Sequence, residues 1–189
     1  MGKSSKLEAV RKKVNLCCAC HLWLERKNPV LGEGDLNADI ILCGESAGEK
    51  EDQTGKPFCG KSGKLLTKIL TDVELSRESV YICNIIKCHP PNNRDPEPRE
   101  VEACLPYLRK QIEIISPKVI VLLGAVALKS LFNDPKASIG KSRGIWKEYE
   151  GIPVLPTYHP AFLLYNSSEE NKKLMKSDLK LAIIKANEK

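Results

Sequence analysis

The run Lys118-Val119-Ile120-Val121-Leu122-Leu123, closed by Gly124, decides the fold. Nearly continuous β-branched and aliphatic residues leave no polar face, so a strand made of them must be covered on both sides, as in a parallel sheet packed between helices. Three shorter runs repeat the pattern, each followed by turn residues: Asp39-Ile40-Ile41-Leu42-Cys43, Val80-Tyr81-Ile82-Cys83 and Ile152-Pro153-Val154-Leu155-Pro156. Helix-patterned stretches separate them, roughly 63–71, 97–115 and 125–132, with an opening helix over about 6–14 and a closing one over about 170–186. Strand alternating with helix predicts an α/β fold, a three-layer αβα sandwich around a central four-stranded parallel sheet. No repeat, low-complexity tract or linker interrupts the chain, so residues 1–189 are expected to form a single domain.

The composition is consistent with that expectation. A chain of 189 residues, 42% of them hydrophobic, can bury a substantial core. No run approaches the roughly 18 apolar residues of a membrane span. The charged start Met1-Gly2-Lys3-Ser4-Ser5-Lys6 leads into no signal-peptide apolar stretch, and Lys6 breaks the myristoylation pattern. These features predict a cytoplasmic, membrane-free protein, expected to be a monomer. In a reducing cytoplasm its eight cysteines are thiols or metal ligands rather than a disulfide framework.

Cys17 and Cys20 form a CxxC, while Cys88 and Cys104 lie far downstream around the turn-rich, basic segment Pro90-Pro91-Asn92-Asn93-Arg94-Asp95-Pro96. Thiolates bind soft metals, and a metal shared by cysteines so far apart would staple the N-terminal segment to the 88–104 loop. The alternative is that they are simply buried thiols.

Each predicted strand ends in a polar or permissive residue: Gly44-Glu45-Ser46-Ala47-Gly48 after the first, Asn84 at the second, Gly124 after the third and His159 after the fourth. Ligands bind open α/β sheets in the crevice at the carboxyl ends of the strands, so a glycine-rich turn, an acid, an amide and an imidazole would share one pocket. The net charge of +6 adds loop cations, with Lys56, Lys61, Lys64, Lys141 and Arg143 beside glycines and Arg94 in the proline-rich loop, which suit phosphate contacts. The lysines of the closing helix read as a solvated face.

With these segments in order, nearly the whole chain resembles the uracil-DNA glycosylase superfamily, in particular its family 4, the thermostable type with a four-iron four-sulfur cluster. The resemblance is carried by residues 44–48, Glu51-Asp52-Gln53-Thr54-Gly55-Lys56-Pro57-Phe58-Cys59-Gly60, Asn84-Ile85-Ile86-Lys87-Cys88, Pro90 to Arg94, and Thr157-Tyr158-His159-Pro160-Ala161. It implies a DNA-repair hydrolase that flips uracil out of single- or double-stranded DNA and breaks its N-glycosidic bond, leaving an abasic site. It assigns the 4Fe-4S cluster to Cys17, Cys20, Cys88 and Cys104, with Cys18, Cys43, Cys59 and Cys83 as spare thiols.

The implied chemistry distributes over named residues. Phe58 is the expected stacking platform for the flipped base, and Asn84, with a donor and an acceptor on one amide, the reader of uracil O4 and N3–H. His159 is the expected donor to O2, where charge collects as uracil leaves, and Glu45 orients water and offsets cationic character on the sugar. Gly44, Glu45 and Ser46 bring the turn to the base, with Glu51 as a supporting acid. Arg94, Arg143, Lys61 and Lys64 are the expected phosphate contacts. From 160–165, one of Phe162 and Leu163 should be core, with Leu164 or Tyr165 wedging into the base stack.

The chain departs from the family pattern Gly-Glu-x-Pro-Gly, with Ala47 in the proline position and Ser46 before it, loosening the turn and adding a hydroxyl. His21 stands where proline is common, and His89 follows Cys88; either could ligate a metal, but both read first as exposed loop histidines. Two other classes stay open: a uracil-DNA-binding relative with altered lesion range or little turnover, and a structural zinc or iron-sulfur nucleic-acid-binding module.

Overall fold

In the computed structural model, which describes residues 2–165 and 168–188, one twisted sheet carries the molecule. In chain order the elements are α1 (Lys3–Asn15), β1 (Glu33–Gly34), β2 (Ile40–Gly44), α2 (Glu49–Thr54), α3 (Lys61–Asp72), β3 (Tyr81–Asn84), α4 (Pro98–Ile115) and β4 (Val119–Leu123). They continue with α5 (Ala125–Phe132), α6 (Ile139–Ser142), β5 (Lys147–Tyr149), β6 (Ile152–Thr157), α7 (Pro160–Tyr165) and α8 (Glu169–Ala186).

The expected αβα sandwich is the observed fold, and the four strands read from sequence are its central parallel array, β3-β2-β4-β6. The sheet is wider than expected. It has six strands in the order β1-β3-β2-β4-β6-β5, because β1 and β5 pair antiparallel at the edges. Every residue of β2, β3 and β4 is buried, as their unbroken apolar composition requires.

Two cores result, one on each face. Leu7, Val10 and Val14 of α1 and Leu108, Ile112 and Ile115 of α4 recur at helical spacing and pack with Leu128 of α5 on Ile41, Ile120 and Leu122. Leu66, Ile69 and Leu70 of α3 meet Met175, Leu179 and Ala182 of α8 on Leu42, Val121 and Leu155. Each such aliphatic side chain stabilises the fold by about 1.5–3 kcal/mol when fully buried. The chain leaves β2 through α3 to β3 on one side and returns through α4 to β4 on the other. The connections therefore diverge above β2, and a crevice opens at its carboxyl end. Among the described residues, no helix is long and apolar enough to cross a membrane.

Candidate active site

That crevice is a cleft of about 370 Å³, lined by Glu45, Ser46, Glu51, Phe58, Asn84 and His159 among others. The sheet sets its floor: Gly44 and Asn84 are register partners at the ends of β2 and β3. Asn84 is 1% exposed, and its side-chain oxygen is buried without a hydrogen-bond partner. An unpaired buried acceptor costs about 1–3 kcal/mol, so this atom is set for a donor that arrives with a ligand. The lack of a side chain at Gly44 makes the room: a Cβ there would lie 2.4 Å from that oxygen and 2.6 Å from Phe58 Cζ.

Phe58 is buried at a positive φ of 49°, which a non-glycine residue adopts only when its surroundings impose it. Two features impose it. Glu51 Oε1 accepts the N–H groups of Cys59 and Gly60, both at 2.9 Å, and Gly63 lets α3 abut the Phe58 carbonyl, where a Cβ would come within 1.7 Å. Glu51 is thus a buried bracket for the turn that presents Phe58. The Phe58 and His159 rings face each other obliquely, centroids 5.7 Å apart.

His159 is held in one tautomer. The Ala161 N–H donates to its Nδ1 at 3.1 Å, so the proton of the neutral ring sits on Nε2. One edge of the ring borders the cleft while protein encloses the rest, and this desolvation pushes its pKa down from 6.5 to about 4, against the opposing charge of Glu51. At neutral pH His159 is an uncharged N–H donor. Glu45 moves the other way: desolvation, reinforced by the charge of Asp95, raises its carboxyl from 4.5 to about 7. Backbone bonds from Ile85 N to Gly44 O (3.0 Å) and Ile86 N to Glu45 O (2.9 Å) tie the Glu45 turn to the segment after Asn84.

A second cavity shares no lining residue with the first. Cys17, Cys20, Cys88 and Cys104 all line it, among apolar walls from Val14, Leu22, Ile86 and Tyr107. Two donors already face the sulfurs: Arg26 Nη1 to Cys88 Sγ at 3.3 Å and Lys87 N to Cys104 Sγ at 3.2 Å. Burial pushes the Cys104 thiol up to about 12 and raises Cys88 and Cys20 as well. Cys18, Cys43, Cys59, Cys83, His21 and His89 do not line this cavity. Lys87 joins the two sites. It is fully buried, and while its N–H faces Cys104, its Nζ donates to the Asn84 main-chain carbonyl at 2.5 Å.

Sequence comparison agrees with this geometry. The family described as "Uracil DNA glycosylase superfamily" matches residues 31–182. A type-4 uracil-DNA glycosylase of Thermotoga maritima is 48% identical over 177 residues, covering 93% of this chain and 92% of that one. Those of Sulfurisphaera tokodaii (47% over 182 residues, 92% and 82%) and Saccharolobus solfataricus (50% over 168 residues, 85% and 78%) are similar throughout. The chain belongs to the uracil-DNA glycosylase superfamily, in its type-4 branch. An alignment covering 93% of the chain necessarily takes in the Cys17–Cys20 segment, which the superfamily match leaves out.

Beside this cleft runs a groove of about 510 Å³ that brings together Lys61, Lys64, Leu164 and Tyr165, four of the residues expected to meet DNA. Of Phe162 and Leu163, Leu163 is the core residue, while Leu164 is exposed and Tyr165 is 88% exposed. The two arginines are placed otherwise. Arg94 pairs with both oxygens of fully buried Glu100, at 2.9 and 2.6 Å. Burial works against charge on Glu100, but this fork and the Glu97 N–H hold its carboxyl below the usual range. Arg143 is locked onto buried Asp178. Each guanidinium thus neutralises a buried carboxylate and is not an unpaired surface cation, a pairing that the sequence does not disclose. Sequence reasoning also missed Lys87, Asp95 and the Ala161 amide. Of these only Ala161 had a signal, its place two residues after His159 in an X-Pro turn.

Proposed function

We propose that this chain hydrolyses the N-glycosidic bond of uracil in DNA, and the observation that carries the reading is the orphaned Asn84 oxygen facing the Phe58 platform. Uracil brings the missing donor, N3–H, and offers O4 to the amide NH₂; cytosine reverses both groups. His159 Nε2–H donates to O2 and strengthens as negative charge develops there. Glu45, as carboxylate, orients water and stabilises positive character on the sugar, with Ser46 beside it. Lys61 and Lys64 meet backbone phosphates, and Leu164 or Tyr165 fills the gap left by the flipped nucleotide. One protomer contains every group invoked, so a monomer suffices for the reaction.

Release of free uracil from a uracil-containing oligonucleotide by substoichiometric protein tests the reading. Binding without turnover would favour a lesion-binding relative instead. Asn84→Asp should slow uracil release by about tenfold or more, since a carboxylate cannot donate to O4 and repels it. An unchanged rate would remove Asn84 from the pocket.

Four converging thiols, apolar walls and two N–H donors to sulfur suit a 4Fe-4S cluster, which Cys17, Cys20, Cys88 and Cys104 would hold. Bound there, it supplies a rigid covalent crosslink between the N-terminal segment and the 88–104 loop. Cys88→Ser should therefore bleach absorbance near 400 nm and weaken DNA binding, while Cys18→Ser, at an exposed site, should do neither. Full colour in both variants would overturn the ligand assignment.

A further inference from the structure

Asp178 lies on the buried face of α8, 1% exposed, beside Met175, Leu179 and Ala182. A carboxylate in such surroundings is costly unless fully paired, and a well-packed apolar residue would serve stability as well or better. Asp178 is fully paired. Arg143 forks onto it, Nε to Oδ2 at 3.0 Å and Nη2 to Oδ1, and the Thr157 hydroxyl donates to Oδ2 at 2.7 Å. Gly144 brings the backbone flush against it: φ is +70°, and a Cβ would stand 2.9 Å from Oδ1.

What this cluster grips is the approach to His159. Thr157 is fully buried two residues before it. The Arg143 guanidinium lies 5.8 Å from the Tyr158 ring centroid, and Tyr158 stacks on Phe162 at 5.1 Å, so residues on both sides of His159 are held. From the sheet side, Gly124 N donates to Thr157 O at 2.9 Å, and a Cβ at Gly124 would lie 2.9 Å from His159 Cβ. His159 thereby follows a segment gripped by the buried ion pair through Thr157 and Tyr158, with Gly124 against its Cβ, and neither the pair nor the glycine lines the cleft.

We infer that Asp178, Arg143 and Thr157 form a clamp outside the cleft that positions His159 for uracil excision, making Asp178 a positioning residue of the reaction. The inference rests on the role of His159 proposed above. Displacing a reacting group by about 1 Å can cost about a hundredfold in rate. Asp178→Asn and Thr157→Val should therefore lower single-turnover excision about 10- to 100-fold at saturating protein, with affinity for uracil-containing DNA within about threefold. Arg143→Lys, which keeps charge but not the fork, should fall between these and the parent.

A purely structural clamp would not move the second readout, nitrogen NMR of the imidazole. The parent should show His159 with an unprotonated, hydrogen-bonded Nδ1, and Asp178→Asn or Thr157→Val a mixture of tautomers. If Asp178→Asn does not fold, Thr157→Val, which removes one hydroxyl, carries the test alone. Parent rate and a single tautomer in the folded variants would overturn the inference. So would a rate restored fully at saturating protein with a reduced salt slope, which would return Arg143 to the DNA backbone. The two readings can fail separately: parent-rate excision by His159→Ala removes the histidine role, while tautomer mixing in the clamp variants reports the clamp whatever that role is.

Discussion

Gly44→Ala should yield a folded protein that excises uracil at least about a hundredfold more slowly than the parent. The added methyl group would sit 2.4 Å from Asn84 Oδ1 and 2.6 and 3.0 Å from two carbons of the Phe58 ring. Neither neighbour can yield easily. Asn84 belongs to β3, its carbonyl held by Lys87, and Phe58 is held at positive φ by Glu51 and by contact with α3 at Gly63. The methyl therefore enters the slot between amide and ring, where the base should lie. Overpacking costs about 1–3 kcal/mol, a thermal shift the fold should survive. The backbone adds no strain, because Gly44 is not in the left-handed region. Ala at Gly140, where no atom comes closer than 4.0 Å, is the matched control. Parent-rate excision by Gly44→Ala in single turnover would place the base elsewhere.

The division between what sequence does and does not disclose is visible in the same residues. The four parallel strands were legible because burial on both faces demands unbroken apolar runs, and their carboxyl ends then located Glu45, Asn84 and His159 in one crevice. The edge strands β1 and β5 are two and three residues long and partly exposed, too short to impose a pattern. α2 and α7, six residues each, left no helical period for the same reason. Charge partners were hidden more deeply. Nothing local announces that Arg143 will meet Asp178, 35 positions on, or that buried Glu100 will take the fork of Arg94. A basic residue beside glycines looks alike whether it awaits a phosphate or completes a core, and only burial of the partner carboxylate distinguishes the two. The tautomer of His159 depends on a main-chain N–H, a group every non-proline residue carries, and its only mark in the sequence is the X-Pro turn that places Ala161 two residues after the histidine.

His159→Ala should lower single-turnover excision by about 10²–10³-fold, the usual effect of deleting a donor aimed at developing negative charge. Binding to uracil-containing DNA should change far less, because the bond to O2 strengthens chiefly in the transition state. The pH dependence separates this residue from Glu45. With its pKa raised to about 7, Glu45 is mostly protonated at pH 6 and mostly ionised at pH 8, so a reaction needing its carboxylate rises with pH through about 7. His159, lowered to about 4, stays neutral across that range and adds no limb of its own. In His159→Ala the profile should keep its midpoint near 7 and drop in height, since the titrating group is still present. Should the parent rate instead fall as pH rises from 5 to 8, the reaction would need Glu45 protonated, and its carboxylate role would be excluded while the neutral His159 donor would stand.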